Sequence, residues 1–280
     1  MKKYGKEISS LVAWNQEARD YSEALTNDYH HHRLSVINAL VPQQLIVKGT
    51  SIFDFGCGDA IHLEQFAKKG CDIRGMDISQ EMIDLAKKRL SKVKLDSDLV
   101  SVGSASELSH VADNTFDVIL SCNVLAYLTK YEEDVFYKEA YRLLRPGGHL
   151  IVTHSNELFD MYSLNQYTIE FFSRQFVTDD SLKSQLLNLI TKHAESESIV
   201  TYNVRENPLA YRFKLRKYGF TETKQEFINL HVAPPSLLSK DRCDPDTLSG
   251  NEEEKWKLMF LCSTFGSLSI REPAENLTHL

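Results

Sequence analysis

Ile52-Phe53-Asp54-Phe55-Gly56-Cys57-Gly58-Asp59-Ala60 is the stretch that decides the fold. A short apolar run enters two glycines separated by one residue, and an amphipathic stretch follows. This is the pattern of a strand, a tight turn and a helix. Glycine accepts the backbone conformations such a turn demands, and its missing side chain lets the chain come close to a bound nucleotide. Any strand-to-helix turn can carry two glycines, so the motif carries little weight alone. A second apolar run, Asp72 to Met76, adds to it by ending at Asp77. Topology places that carboxylate beside the same turn, where it can accept both hydroxyls of a ribose.

Outward from this point the chain alternates short apolar runs with amphipathic stretches, the signature of repeated βα units. The pattern predicts strands at Ser51 to Phe55, Asp72 to Met76, Leu99 to Val102, Phe116 to Ser121 and His149 to Thr153. Helices are expected at Ala60 to Lys69, Ser79 to Leu90 and Glu132 to Leu144. Arg145-Pro146-Gly147-Gly148 is expected to stop the last of these and turn the chain into strand five. Before the first strand, Ser10 to Leu40 has helical spacing. After the fifth, a further helix at Pro208 to Tyr218 and strands near Thr223 to Leu230 and Lys257 to Thr264 complete the pattern.

The expected fold is α/β, a doubly wound, mostly parallel seven-stranded sheet. The layout is a helical cap over 1–45, a nucleotide-binding core over 46–155, an inserted helical, lid-like segment over 156–207, and the remainder of the core sheet over 208–280. A loop at 231–255 is too long for a simple hairpin.

Bulk properties narrow the function. Across 280 residues, 32 Lys and Arg stand against 39 Asp and Glu, a formal charge of −7. That is the wrong sign for a protein whose affinity must come from neutralising phosphates, so nucleic acid is not the expected partner. The densest basic run, Lys87 to Lys94, reads as a solvated helix end. No stretch approaches the roughly 18 apolar residues needed to span a bilayer, and the N-terminus lacks the apolar core of a signal peptide. Five cysteines with no C-x-x-C pair argue against a disulfide framework and a zinc site, and suit a reducing cytoplasm. His30, His31 and His32 are adjacent in a helical stretch and point in different directions, so no metal is expected.

Taken together, the acidic glycine turn at Asp54 to Ala60, Asp77, Gly103-Ser104-Ala105, the Phe116-Asp117-Val118-Ile119 strand and Leu144-Arg145-Pro146-Gly147-Gly148 occur in one order over Ser51 to Thr153. In this the chain resembles the class I, Rossmann-like S-adenosylmethionine-dependent methyltransferases. The resemblance implies that Asp54 and the backbone at Gly56 and Gly58 hold the methionine part of S-adenosyl-L-methionine and that Asp77 holds the ribose. It further implies that Ile78 flanks the adenine, Ser104 and Ala105 lie at its polar edge, and Asn123 lines the pocket. Two departures stand out: Ala60 replaces the family's third glycine, and Ser104 stands where an acid is common. A nicotinamide dehydrogenase shares the strand, turn and acid logic. Ile61 breaks its glycine spacing, however, and an acid two places before the first glycine is the methyltransferase habit.

The expected activity is in-line transfer of a methyl group to an oxygen or nitrogen of a small molecule, a reaction that depends on positioning. His154 and His231 follow strands five and six and are the candidate bases. Tyr127, with Trp14 and Tyr21 from the helical cap, is expected to shape the acceptor pocket. Ser121-Cys122-Asn123-Val124-Leu125 lacks the Asn/Asp-Pro-Pro-aromatic pattern that methyltransferases of adenine amino groups share, which points to a small acceptor. Transfer to a protein or RNA, or cofactor binding by a catalytically silent partner subunit, are the alternatives.

Overall fold

The computed structural model describes residues 10–24, 28–163, 204–230 and 256–273. Seven strands form one sheet in the order β3-β2-β1-β4-β5-β7-β6. They are β1 (Ser51–Phe55), β2 (Asp72–Asp77), β3 (Val100–Val102), β4 (Phe116–Ser121), β5 (Leu144–Ser155), β6 (Phe220–Leu230) and β7 (Cys262–Arg271). Pairings from β3 through β5 are parallel, and β7 runs antiparallel to both of its neighbours. The strand order reverses between β1 and β4. There the connecting helices leave for opposite faces and open a crevice at the carboxyl ends of the strands.

Alternation along the strands divides the core into two layers. Phe53, Phe55, Phe116 and Ile119 pack on one face with Phe136, Tyr137 and Ala140 of α5 (Lys130–Leu143) and Tyr211 and Leu215 of α7 (Tyr211–Lys217). Ile52, Val118 and Leu120 pack on the other with Leu63 and Phe66 of α3 (Ile61–Ala67) and Ile83, Ala86 and Leu90 of α4 (Gln80–Lys92). Leu40 of α2 (Asp28–Leu40) joins this second layer. The expected cap is thus seen as α1 (Ser10–Ala24) and α2, with α2 docked onto the sheet.

Local chemistry sets the boundaries. Ser79 caps α4 by accepting a hydrogen bond from the Met82 amide (3.2 Å), and Thr129 and Glu132 form a reciprocal capping box on α5. Two expectations need correction. Arg145 to Gly148 do not precede strand five but lie within β5 as an irregularity: Phe116 pairs with Leu144 and Val118 with His149, leaving the intervening residues opposite Asp117. The last strand does not begin at Lys257. Leu258–Leu261 is a single helical turn, α8, and β7 starts at Cys262, because alternating burial alone does not separate a short apolar helix from a strand. Of the expected insertion, α6 (Glu157–Ser163) is described, and 164–203 lies outside the described residues, as does the loop at 231–255. Among the described residues no helix is long and apolar enough to cross a membrane.

Candidate active site

The turn leaving β1 is stitched to the end of β2. The amides of Gly56 and Cys57 both donate to the carbonyl of Met76, at 2.7 and 2.9 Å. Asp77 completes the joint: one carboxylate oxygen accepts from the Gly58 amide and the other from the Ser79 amide, each at 2.9 Å. Burial pushes the Asp77 carboxyl above its ordinary range, against the downward pull of the Ser79, Gly58 and Ile78 amides. A carboxylate offers about four acceptor positions, so accepting from the turn leaves capacity for sugar hydroxyls.

Gly56 has φ +74°, and a Cβ built there would collide with Cγ2 of Val124. The glycine is therefore demanded by the protein's own packing as well as by its positive φ, a reason added to the turn and the ligand approach expected from the sequence. Ala60, at the family's third glycine position, takes φ 64° and N-caps α3, so an alanine here tolerates the left-handed conformation.

Above this turn lies a cavity of about 350 Å³. Gly56, Gly58, Asp77 and Ile78 line one side, and Ser104 and Ala105 the next. The Ser104 amide donates to the Glu107 carboxylate (2.7 Å), which brings an acid back to the strand-three turn from three residues downstream. Asn123 closes the β4 side. Its backbone φ is 62°, its amide donates to the Thr153 hydroxyl (2.7 Å), and its side-chain amide donates to the Tyr21 hydroxyl (3.1 Å). Trp14 and Tyr21 from α1 and Tyr127 after β4 make an aromatic wall, with Trp14 edge-to-face on Tyr21 (5.3 Å) and on Tyr127 (5.0 Å). The helical cap is also tied to the glycine turn, since Ser22 donates to Asp59 (2.7 Å), itself paired with Arg89 at 2.5 Å. Arg89, within the basic run that reads as a solvated helix end, is thus a structural cation.

Sequence reasoning missed the first turn of α5. Leu128, Thr129, Tyr131, Glu132 and Val135 line the cavity as well. The signal was present in Thr129-x-x-Glu132, a capping box that places a helix start directly after β4, at the carboxyl edge of the sheet.

Two expected residues, Asp54 and His154, do not line the cavity, and a third, His231, lies outside the described residues. Asp54 is 1% exposed, behind the cavity lining, and neither of its carboxylate oxygens meets a hydrogen-bond donor. Burial and the nearby Asp77 push its pKa up to about 8. His154 does not line the cavity. It is 2% exposed and packs between the rings of Tyr211 (4.3 Å) and Phe265 (5.2 Å), and burial with Lys214 and Lys130 holds it well below the usual histidine range. A base must reach the proton it removes, so the structure withdraws His154 from that role. His231 lies outside the described residues. Among the described residues no cluster of metal-binding side chains occurs.

The residues fit an aminoacyl-nucleoside. Both oxygens of the buried Asp54 carboxyl meet no hydrogen-bond donor, and an ammonium brought against them would supply one. Asp77 suits a ribose, and the apolar side chains of Ile78 and Met82 suit the face of a base.

Comparison with known proteins agrees with this geometry. Residues 53–152 match the family model described as a methyltransferase domain. Among curated proteins, the chain is similar to ubiquinone biosynthesis O-methyltransferase of Coxiella burnetii, 28% identical over 122 residues, which are 44% of this chain and 50% of that protein. It is also similar to the same-named protein of Brucella ovis, 26% identical over 169 residues, 59% of this chain and 66% of that one. The chain spans about half the length of the Coxiella burnetii relatives it matches. Among solved structures, magnesium protoporphyrin IX methyltransferase from Synechocystis PCC 6803 with bound SAH aligns at TM-score 0.58, with 13% identity, over 94% of this chain and 98% of that one. Phosphoethanolamine N-methyltransferase 2 of Haemonchus contortus, in complex with S-adenosyl-L-methionine, aligns at TM-score 0.59, with 16% identity, over 96% and 62%. Sheet order, glycine turn and family match converge: residues 53–152 match a methyltransferase domain, and the sheet that carries them has a Rossmann-like order.

Proposed function

We propose that the chain is an S-adenosylmethionine-dependent methyltransferase that transfers a methyl group to an oxygen or nitrogen of a small molecule. The observation that carries this reading is the single cavity wall in which Asp77 and the glycine turn meet the aromatic trio Trp14, Tyr21 and Tyr127. The curated relatives named as O-methyltransferases support a small acceptor.

When bound, the cofactor supplies an electrophilic methyl on a sulfonium with a good leaving group. The chain's part is to hold the two reactants in line, which can contribute about 7 to 11 kcal/mol in favourable cases. Asp77 would hold the sugar, Ile78 and Met82 would hold the base, and Ser104 and Ala105 would lie at its polar edge. Trp14, Tyr21 and Tyr127 exclude water and present the acceptor. Among the described residues no histidine or lysine lines the cavity. This favours acceptors that arrive already nucleophilic, such as a carboxylate, a neutral amine or an acidic phenol, over an alcohol that needs a strong base.

The test is calorimetry with S-adenosylhomocysteine, followed by methyl transfer from S-adenosylmethionine to a panel of carboxylic acids, amines and phenols. Binding with turnover on at least one class is expected. Binding with no turnover on any of them, but methylation of a protein or RNA fraction, would replace the acceptor class. Absence of binding would remove the assignment.

A further inference from the structure

Four cations crowd one short stretch of an otherwise acidic chain. From Asn207 to Thr221 there are four Lys or Arg and no Asp or Glu, although the whole chain carries −7. Folding sorts them. Lys214 turns inward, where it pairs with the buried carboxylates of Glu133 and Glu206. Arg212, Arg216 and Lys217 stay on the outer side of α7, since Tyr211 and Leu215 are the residues this helix buries.

The outer side is apolar as well as basic. Phe213 is 52% exposed, and Leu209, in the turn that leads into α7, is 56% exposed. A lone exposed phenyl is ordinary on a protein surface, but this one is flanked by two guanidinium groups, Arg212 at 4.9 Å and Arg216 at 5.8 Å from the ring centre. Other arginines behave differently. Arg89, Arg142, Arg145 and Arg205 each meet a carboxylate at 2.5 or 2.6 Å. Among the described residues no carboxylate pairs with Arg212, Arg216 or Lys217, and Arg212 acts on Glu222 only through space.

The charge on this face is thus left for something outside the chain, and three properties favour a lipid surface. Its sign is complementary to anionic headgroups, and each Lys or Arg close to such a surface strengthens attachment about fivefold. Two apolar side chains fall well short of the roughly 800 Å² per partner that a stable protein interface buries, whereas shallow insertion of an aromatic and an aliphatic side chain suffices at the headgroup boundary. The acidic remainder of the chain is repelled by the same surface, which leaves this face as the one that approaches. The absence of a membrane-spanning helix among the described residues does not bear on attachment from one side. We propose that the outer face of α7, with Leu209, Arg212, Phe213, Arg216 and Lys217, is a peripheral docking site for an anionic lipid bilayer. The proposal is independent of what the cavity methylates.

The test is cosedimentation of the full chain with vesicles of phosphatidylcholine alone and of phosphatidylcholine and phosphatidylglycerol in equal parts, at low and at high salt. Binding to the mixed vesicles is expected, falling as salt rises, with little to the neutral ones. Arg212→Gln with Arg216→Gln should weaken it about 30-fold, by about fivefold for each charge. Phe213→Ser should weaken it about tenfold. Phe213→Trp should keep it and shift tryptophan emission to shorter wavelength when mixed vesicles are added. These positions are exposed, so urea denaturation should be unchanged. Lys88→Gln with Lys92→Gln on α4 removes the same charge from another exposed face and should leave binding as it was. No binding to the mixed vesicles at low salt overturns the proposal, as does binding that the α7 variants do not weaken. An equal loss in the α4 variant overturns it too, by making the attraction a matter of charge anywhere on the surface. Binding to polyglutamate in place of vesicles would assign the face to an acidic protein and overturn it likewise.

Discussion

Binding of the cofactor is expected to expel a proton from Asp54. This carboxyl is pushed up to about 8 by burial and by Asp77, so in the ligand-free protein at pH 7 it is protonated by about ten to one. An ammonium placed against it needs the ionised form, and the apparent dissociation constant is then the intrinsic one divided by the ionised fraction. That fraction is about 1% at pH 6, about 9% at pH 7 and about 50% at pH 8, so affinity should rise roughly 50-fold from pH 6 to pH 8. About one proton should leave per ligand bound at the acid end of that range. The nearby imidazole and thiols keep their ionisation state over this range. His62 is lowered to about 3 and stays neutral, whereas Cys57 and Cys122 are pushed far up and stay protonated.

The assay is calorimetry with S-adenosylhomocysteine in buffers of different ionisation enthalpy, from pH 6 to pH 8, with Asp54→Asn as control. The mutant should bind more weakly at pH 8, with no pH slope and no buffer-dependent heat. The same residue makes a stability prediction. Its folded pKa lies above the unfolded value, so its contribution to stability is complete below about pH 4 and is lost as pH rises toward 8, at about 1.4 kcal/mol per pH unit. Asp54→Asn should flatten that part of the stability profile of the ligand-free protein. A wild-type affinity independent of pH, or an equal slope in the mutant, would refute the reasoning.

Other consequences are as specific. Asp77→Asn replaces an oxygen that accepts from an amide of the turn and lowers the charge facing the ribose. It should weaken S-adenosylhomocysteine by about ten- to one-hundred-fold in calorimetry. Gly56→Ala meets Val124 and a left-handed φ together, so it should cost about 2 to 5 kcal/mol in urea denaturation. A double-mutant cycle with Val124→Ala should recover about 1 to 3 kcal/mol of that, and an additive cycle would mean the two side chains never met. His154 Nε2 is buried without a partner, so His154→Phe should leave stability unchanged or raise it by about 1 kcal/mol. The same variant should leave the pH dependence of methyl transfer as it was, and loss of the alkaline or acid limb would return His154 to the chemistry.

The alternation of apolar runs with amphipathic stretches made the first five strands legible, most clearly β1 and β4, which are buried on both faces. Ser51–Phe55 and Phe116–Ser121 fall where the pattern predicts. One wall of the cavity was legible for a related reason: Gly56, Gly58 and Asp77 follow from how a parallel sheet presents its carboxyl ends. What the sequence hid is contact between distant segments. Nothing local in Arg33 says that it sits on a buried stripe, and nothing near Gly56 names Val124 as the side chain that forbids a Cβ. His154 was misleading for the opposite reason. Its position at the edge of β5 is right for a base, but Tyr211 and Phe265 arrive from elsewhere in the chain to bury it. The Arg145 to Gly148 run has the composition of a turn, whereas pairing with β4 carries it into the sheet as a bulge.

The most direct test of the central claim is a crystal structure with S-adenosylhomocysteine. The account predicts the nucleoside across the turn at Gly56 and Gly58, with both ribose hydroxyls within hydrogen-bond reach of Asp77 and the sulfur directed at the Trp14, Tyr21 and Tyr127 wall. A ligand seated anywhere else, or a sugar that does not touch Asp77, would contradict it.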